Sequence, residues 1–236
     1  MENPDSSQLF PLILQMEQAG LVTRTFRRLD PERQWVVILA ILEEAGDKGP
    51  ADLNIKQVAA RAGVSVGSLY QYFGDRTGLL RFTVELVVSV AVGQFEMYRE
   101  YLAAMPLRDA LAAYLQGGLE WTREQLGFAR FFAAAAYQGD PQLAESVVRP
   151  IASQMRRMVA DMLTAAQARG ELRADVDLEA LTRVIHVIFI ALGDGQLMPA
   201  LQAYYQLTDE TCSGERVAAA ALDLVLSGMA AGGGQA

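Results

Sequence analysis

Apolar residues recur along this chain at spacings of three and four instead of alternating, and Ala, Leu, Gln, Glu and Arg dominate the stretches between glycines and prolines. That period lays one side of a helix against a core, so the pattern predicts an all-α fold. In the first 29 residues, Leu9, Leu12, Ile13 and Met16 share one helical face ahead of Gly20 and the basic stretch Thr23 to Arg28, which predicts a short helix followed by an arm. Asp30-Pro31-Glu32 sets an N-cap before a proline at the first helical position. The helix it opens is expected to run to about Ala45, with Gly46 and Gly49-Pro50 ending it. Asn54 caps a short helix that turns Ile55, Val58, Ala59 and Ala62 inward, and Gly63 is suited to the left-handed conformation that stops it. Ser65 caps a third helix from about Val66 to Tyr72, and Asp75 caps a long fourth one reaching toward Tyr101 or Leu102. Past Pro106, helical patterns lie near 107–126, 128–138, 141–168, 178–205 and 215–229, separated by Gly127, Gly139-Asp140-Pro141, Gly170 and Gly214.

These elements divide the chain into an N-terminal extension (1–29), a three-helix helix-turn-helix domain (30–82), a helical-bundle domain (83–230) and a flexible tail (231–236). No repeat of fixed period interrupts this order. The apolar run Val184 to Leu192 is far shorter than the roughly 20 residues a bilayer needs. Glu2 and Asp5 stand where a secretory signal places Lys or Arg. No membrane role and a cytoplasmic location are therefore expected. One cysteine, Cys212, and one histidine, His186, give neither an intrachain disulfide nor a zinc framework, so no metal and no cofactor are expected. No phosphate-cradling glycine loop or paired metal-ligand motif is present either, and isolated carboxylates such as Glu120 and Asp194 do not make a catalytic site. An enzyme is not expected.

The net charge of -8 argues against nonspecific attraction to polyanions. Residues 1–85 carry nine Lys or Arg against eleven Asp or Glu, while residues 86–236 carry eleven against seventeen, so most of the excess acid falls in the second part. Both lysines, Lys48 and Lys56, and the cluster Arg24, Arg27, Arg28 and Arg33 fall in the first. Arg24, Arg27 and Arg28 read equally as an arm reaching a neighbouring groove or as a solvated charged stretch.

Functional information concentrates between Asn54 and Leu80. A short helix, a tight glycine turn and a second short helix let the second helix present its N-terminal residues to the major groove of DNA. Ala59 and Ala62 are small enough for a close crossing, Val64 fills the angle between the helices, and Leu69 anchors the second helix. That leaves Ser65, Val66, Gly67, Ser68, Tyr70, Gln71 and Tyr72 for the outer face and its edges, with Asn54 and Lys56 at the start of the first helix. Aromatic residues at helical spacing usually pack a small domain, and Phe73 is read that way. Tyr70 and Tyr72 are read as facing DNA, because a buried phenol needs a partner.

Over about residues 32 to 82 this run resembles the TetR (tetracycline repressor) family, with Ala62-Gly63-Val64-Ser65, Gly67, Leu69-Tyr70, Tyr72-Phe73 and Leu79-Leu80 in register. The resemblance implies that Tyr70 and Tyr72 approach the DNA backbone, that Ser68 and Gln71 lie at base edges, and that Arg76 replaces a phosphate-contacting lysine. Asn54 departs from the usual threonine cap, and Gly78 stands where a better helix former is common, which suggests a softened fourth helix. The resemblance further implies a homodimer on a near-palindromic duplex operator, with repression as the default, and a small-molecule effector bound in the second domain. The last two long helices would form the dimer interface. Of the bulky residues there, Trp121, Phe131, Tyr137, Met158, His186 and Phe189 are the candidates for an apolar or aromatic effector. The alternative is a helical sensor or interaction module that does not bind DNA.

Overall fold

The computed structural model describes residues 6–229, and every regular element among them is helical. The expected tail, 231–236, lies outside them. The elements are α1 (Ser6–Gln18), α2 (Arg24–Arg27), α3 (Pro31–Lys48), a 3-10 turn (Pro50–Asp52), α4 (Ile55–Ala62), α5 (Val66–Phe73), α6 (Arg76–Ala104), α7 (Leu107–Glu124) and α8 (Leu126–Tyr137). They continue with a short α9 (Pro141–Leu143), a π-helical stretch (Ala144–Val148), α10 (Arg149–Ala168), α11 (Leu178–Leu197), α12 (Pro199–Tyr205) and α13 (Gly214–Met229).

The described residues pack as two units, one formed by 6–91 with 124–150, the other by 92–123 with 151–229. The sequence pattern sets an extension at 1–29 and divides the helix-turn-helix domain from the helical bundle between residues 82 and 83. The packing draws a different line, because α8 is built from small and aromatic residues that fit against α3. Phe128 stacks on Trp35 with ring centroids 6.4 Å apart. Gly46, expected to end α3, lies inside it, where a Cβ would come within 3.1 Å of the Arg130 Cβ. The glycine therefore serves a close helix crossing. Of the two expected stops it is Gly49 that ends α3, with a φ of 92° that no L side chain adopts readily.

In the first unit α3 is the central helix, with Val37, Ile38, Ile41, Leu42 and Ala45 buried. The N-terminal extension packs onto this unit: Leu9, Ile13, Met16, Val22 and Phe26 are buried, and the Phe26 ring lies 5.1 Å from Phe73, 5.5 Å from Tyr72 and 5.7 Å from Phe82. Buried Gln34 donates to the carbonyls of Phe26 and Arg27, satisfying the end of α2, and Arg27 pairs with Glu17 of α1. The arm alternative does not hold for Phe26 and Arg27.

In the second unit, Leu111 and Leu115 of α7, Met158, Val159 and Met162 of α10, Ile185 and Phe189 of α11, and Leu222 and Val225 of α13 share one apolar core. Glu171 accepts from the Leu107 N–H and from Arg169, whose remaining nitrogens donate to the carbonyls of Ala103 and Met105, so one ion pair fastens the end of α6 and the start of α7. The patterns read as continuous over 141–168 and 178–205 are each broken. The first carries the π-helical stretch; the second stops at Met198, in extended conformation before Pro199. Helix α6 is long and apolar enough by composition to cross a membrane. Its Leu79, Phe82, Leu86 and Val87 are buried in the protein.

Candidate nucleic-acid interface

Helix α4 opens with the Asn54 side chain accepting from the Lys56 N–H at 3.0 Å and closes at Gly63, with φ 63° and ψ 33°. That left-handed residue lets the Val64 N–H bond the Ala59 carbonyl at 3.0 Å and turns the chain directly into α5. Ser65 caps α5 by accepting from the Ser68 N–H at 3.0 Å, and the two hydroxyls lie 2.8 Å apart. Both are thereby held at the leading end of α5. Helix α4 is braced from behind by Arg61, which reaches Glu43, buried Glu44 and Asp47 on α3. The Asp47 hydrogen bond holds the Arg61 guanidinium above its ordinary pKa, so its charge is spent neutralising acid within the unit.

Leu69 and Phe73 anchor α5, while Asn54, Lys56, Ser65, Gly67, Tyr70 and Gln71 are exposed, and Val66 and Ser68 are partly so. A Cβ on Gly67 would meet only the Ser65 Oγ, at 3.6 Å. Nothing inside the protein requires glycine there, and its effect is a flat outer surface.

Two expected contacts sit differently. Tyr72 is only 8 % exposed, against 46 % for Tyr70, and its ring packs on Phe26 and Phe73. The need of a buried phenol for a partner points Tyr72 outward in a three-helix domain; the extension and α6 enlarge the core that its ring enters. Arg76 donates through Nε to the Leu53 carbonyl at 2.8 Å and through Nη2 to the Ala51 carbonyl, tying the start of α6 to the loop before α4. A phosphate contact would have to share that guanidinium.

The attachment behind α5 is not visible in the local sequence pattern. Thr23 donates its N–H to the Tyr72 carbonyl at 2.9 Å and its hydroxyl to the Gln71 carbonyl at 2.7 Å. Free carbonyls at the end of a short helix need such partners, but nothing in the local pattern links residues 48 apart. With Phe26 turned inward, Arg24 and Arg28 are exposed on the opposite side of α2.

The six ligand candidates do not share one unit. Phe131, buried, and Tyr137, half exposed, belong to the first; Trp121, Met158, His186 and Phe189 belong to the second, with Met158 and Phe189 in its core. Burial, reinforced by the charge of Arg156, lowers the His186 pKa. Tyr114, passed over among those candidates, lies against Phe189 with centroids 5.8 Å apart.

A braced pair of short helices with a glycine turn between them, followed by a long helix and an apolar helical unit, defines a helix-turn-helix protein with an all-helical second part. Family models match both parts: bacterial regulatory proteins of the tetR family over residues 37–81, and the tetracyclin repressor-like C-terminal domain over residues 104–192. The chain belongs to the TetR family. It is 41% identical over 61 residues to the HTH-type transcriptional regulator BetI of Pectobacterium carotovorum, a match covering 26% of this chain and 31% of that relative. The chain thus spans about a third of the length of the first curated relatives it matches. With BetI 1 of Chromohalobacter salexigens the identity is 27% over 167 residues, 61% of this chain and 81% of the relative. The crystal structure of a TetR family transcriptional regulator from Chloroflexus aurantiacus superposes with a TM-score of 0.66 at 22% identity, covering 89% of this chain and 99% of that one.

Proposed function

We propose that this chain is a transcriptional regulator that binds a near-palindromic operator as a homodimer and whose grip on DNA is changed by a small, largely apolar ligand. The observation that carries the reading is the outer surface of α5, where Ser65, Gly67, Ser68, Tyr70 and Gln71 are presented from a helix anchored by Leu69 and Phe73. Hydroxyl and amide groups there suit base edges and phosphates, and Asn54 and Lys56 at the start of α4 suit the adjoining backbone.

Dimerisation is supported by apolar residues left outward on the last long helices: Val184 is 52 % exposed, Val187 64 % and Leu224 73 %. A two-fold pair would set two reading helices about 34–36 Å apart, one turn of duplex. Repression is the mode most common in the family, and the cytoplasm is where such a protein meets its operator. Helix α6 belongs to both units, dividing after Ala91, so a ligand that shifts it in the second unit acts on the first through continuous backbone. A tenfold change in DNA affinity requires a ligand preference of about 1.4 kcal/mol between the two conformers.

Selection of bound sequences from random duplex DNA tests the reading. The expected result is a near-palindromic consensus that disappears when Tyr70 and Gln71 are replaced by alanine. The net charge of -8 favours a second reading, a sensor that does not bind DNA, and enrichment of no sequence by the folded protein would select it.

A further inference from the structure

Tyr114 packs from α7 against the core of the second unit. Its Oη is sealed from solvent and has no hydrogen-bond partner among the described residues. The ring is 5.8 Å from that of Phe189 with the planes 35° apart, and the residues packed in the same core, among them Phe95, Met158, Met162 and Ile185, are apolar. Phenylalanine would fill this space without leaving a buried hydroxyl unpaired, which destabilises the unliganded fold. The burial also drives the phenol's pKa far above its ordinary value, so the group keeps its proton and remains a hydrogen-bond donor at any physiological pH.

The packing beside it is incomplete. Five residues on from Tyr114, a rise of about 7.5 Å along α7, Leu119 lines a small, partly open pocket together with Leu192, which follows Phe189 by three residues on α11. That pocket has a volume of about 10 Å³ and is lined also by Leu207 and Val217 and by the polar Gln196, Gln202 and Thr208. The seam between α7 and α11 therefore holds an unanswered donor and, within two turns of it, unfilled space.

We propose that the Tyr114 hydroxyl is the hydrogen-bond donor of the effector site along this seam, and that the effector is an uncharged, largely apolar molecule carrying a carbonyl or ether oxygen. This rests on the reading of the chain as a ligand-responsive regulator. An acceptor oxygen meeting Tyr114 removes the cost of the buried hydroxyl only in the liganded state, which makes the interaction selective for ligands that bear one. A carboxylate is disfavoured, since an unpaired buried anion is far costlier than a neutral oxygen.

The test uses the full chain and Tyr114→Phe. Thermal unfolding is measured without ligand. Titration calorimetry then uses benzophenone and diphenylmethane, probes of nearly the same shape that differ by a carbonyl in place of a methylene. Tyr114→Phe is expected to melt at or above the wild-type temperature. Wild type should bind benzophenone about tenfold more tightly than diphenylmethane, and the variant should bind the two within about twofold. A lower melting temperature for the variant, the same preference in both proteins, or binding of neither probe overturns the assignment. Operator binding is measured in parallel without probe. Normal operator binding beside any of those failures removes the Tyr114 assignment alone, whereas a wild-type protein that binds no operator removes the regulator reading whatever the probes do.

Discussion

The carbonyl oxygen of Phe73 lies so close to Gly78 that a Cβ added at residue 78 would overlap it, with the neighbouring carbonyl carbon only 3.2 Å away. The last residue of α5 and the first turn of α6 are thus in backbone contact, and the Asp75 carboxylate, accepting from the Gly78 N–H at 2.7 Å, holds the turn between them. Glycine at this position is there for space. The sequence suggested a softened helix; the structure shows a tight one.

Gly78→Ala is accordingly expected to destabilise the protein by about 1–3 kcal/mol, as overpacking does, despite the gain of up to about 1 kcal/mol that alanine brings to a helix interior. Chemical denaturation of the two proteins measures the difference. An unchanged or raised stability would mean that the Phe73 carbonyl moves away freely.

Tyr70 and Tyr72 should separate cleanly. Tyr70→Ala leaves stability within about 0.5 kcal/mol, as exposed substitutions do, and weakens operator binding. Tyr72→Ala, truncating a ring packed on Phe26 and Phe73, is expected to cost about 3–5 kcal/mol. Tyr72→Phe should keep both fold and operator affinity. Melting curves and operator titrations on the three variants check this, and a large loss of affinity in Tyr72→Phe would return that phenol to the DNA surface.

If the exposed Arg24 and Arg28 touch operator phosphates, replacing both with alanine lowers affinity for every sequence alike. The slope of log affinity against log salt should fall by about one to two, at roughly 0.9 per phosphate contact. The selected consensus should stay the same. An unaltered slope leaves the two arginines as a solvated face of α2.

Acid sensitivity should trace in part to Glu171. Burial raises its carboxyl pKa, but the Arg169 hydrogen bond and the Leu107 N–H outweigh that and hold it below its ordinary value. A depressed folded-state pKa contributes stability that is present above the unfolded pKa, about 4.3, and is lost as pH falls through the folded value. Glu171→Gln should therefore be less stable than wild type near neutrality and converge with it in acid. Parallel melting curves would refute the role. His186 follows the same pH sign from a different cause: burial, and then Arg156, disfavour its charged form and lower its pKa, so stability falls as pH drops below about 6.5 toward the folded value. His186→Gln should flatten that window.

The helices and their caps were legible in the sequence because they depend on neighbours. Asp30, Asn54, Ser65, Asp75 and Gly63 all act where their spacing places them. What escaped was decided across the fold. Gly46 looked like a stop signal and is a crossing point with Arg130; Tyr72 looked too polar to bury and is enclosed by an extension 46 residues upstream at Phe26. The ligand candidates suffered most, since bulk and spacing do not tell a core residue from a lining residue. Tyr114 is distinguished only by the absence of a hydrogen-bond partner among the described residues, which no local pattern reveals.

The bonds from Thr23 to the carbonyls of Gln71 and Tyr72, with the Phe26 ring set among Tyr72, Phe73 and Phe82, change what counts as a transplantable module. A chimera that exchanged only residues 54–73 with a relative would set Thr23 and Phe26 against a foreign surface. Grafting operator preference between such proteins requires carrying α1 and α2 along with the helices that read.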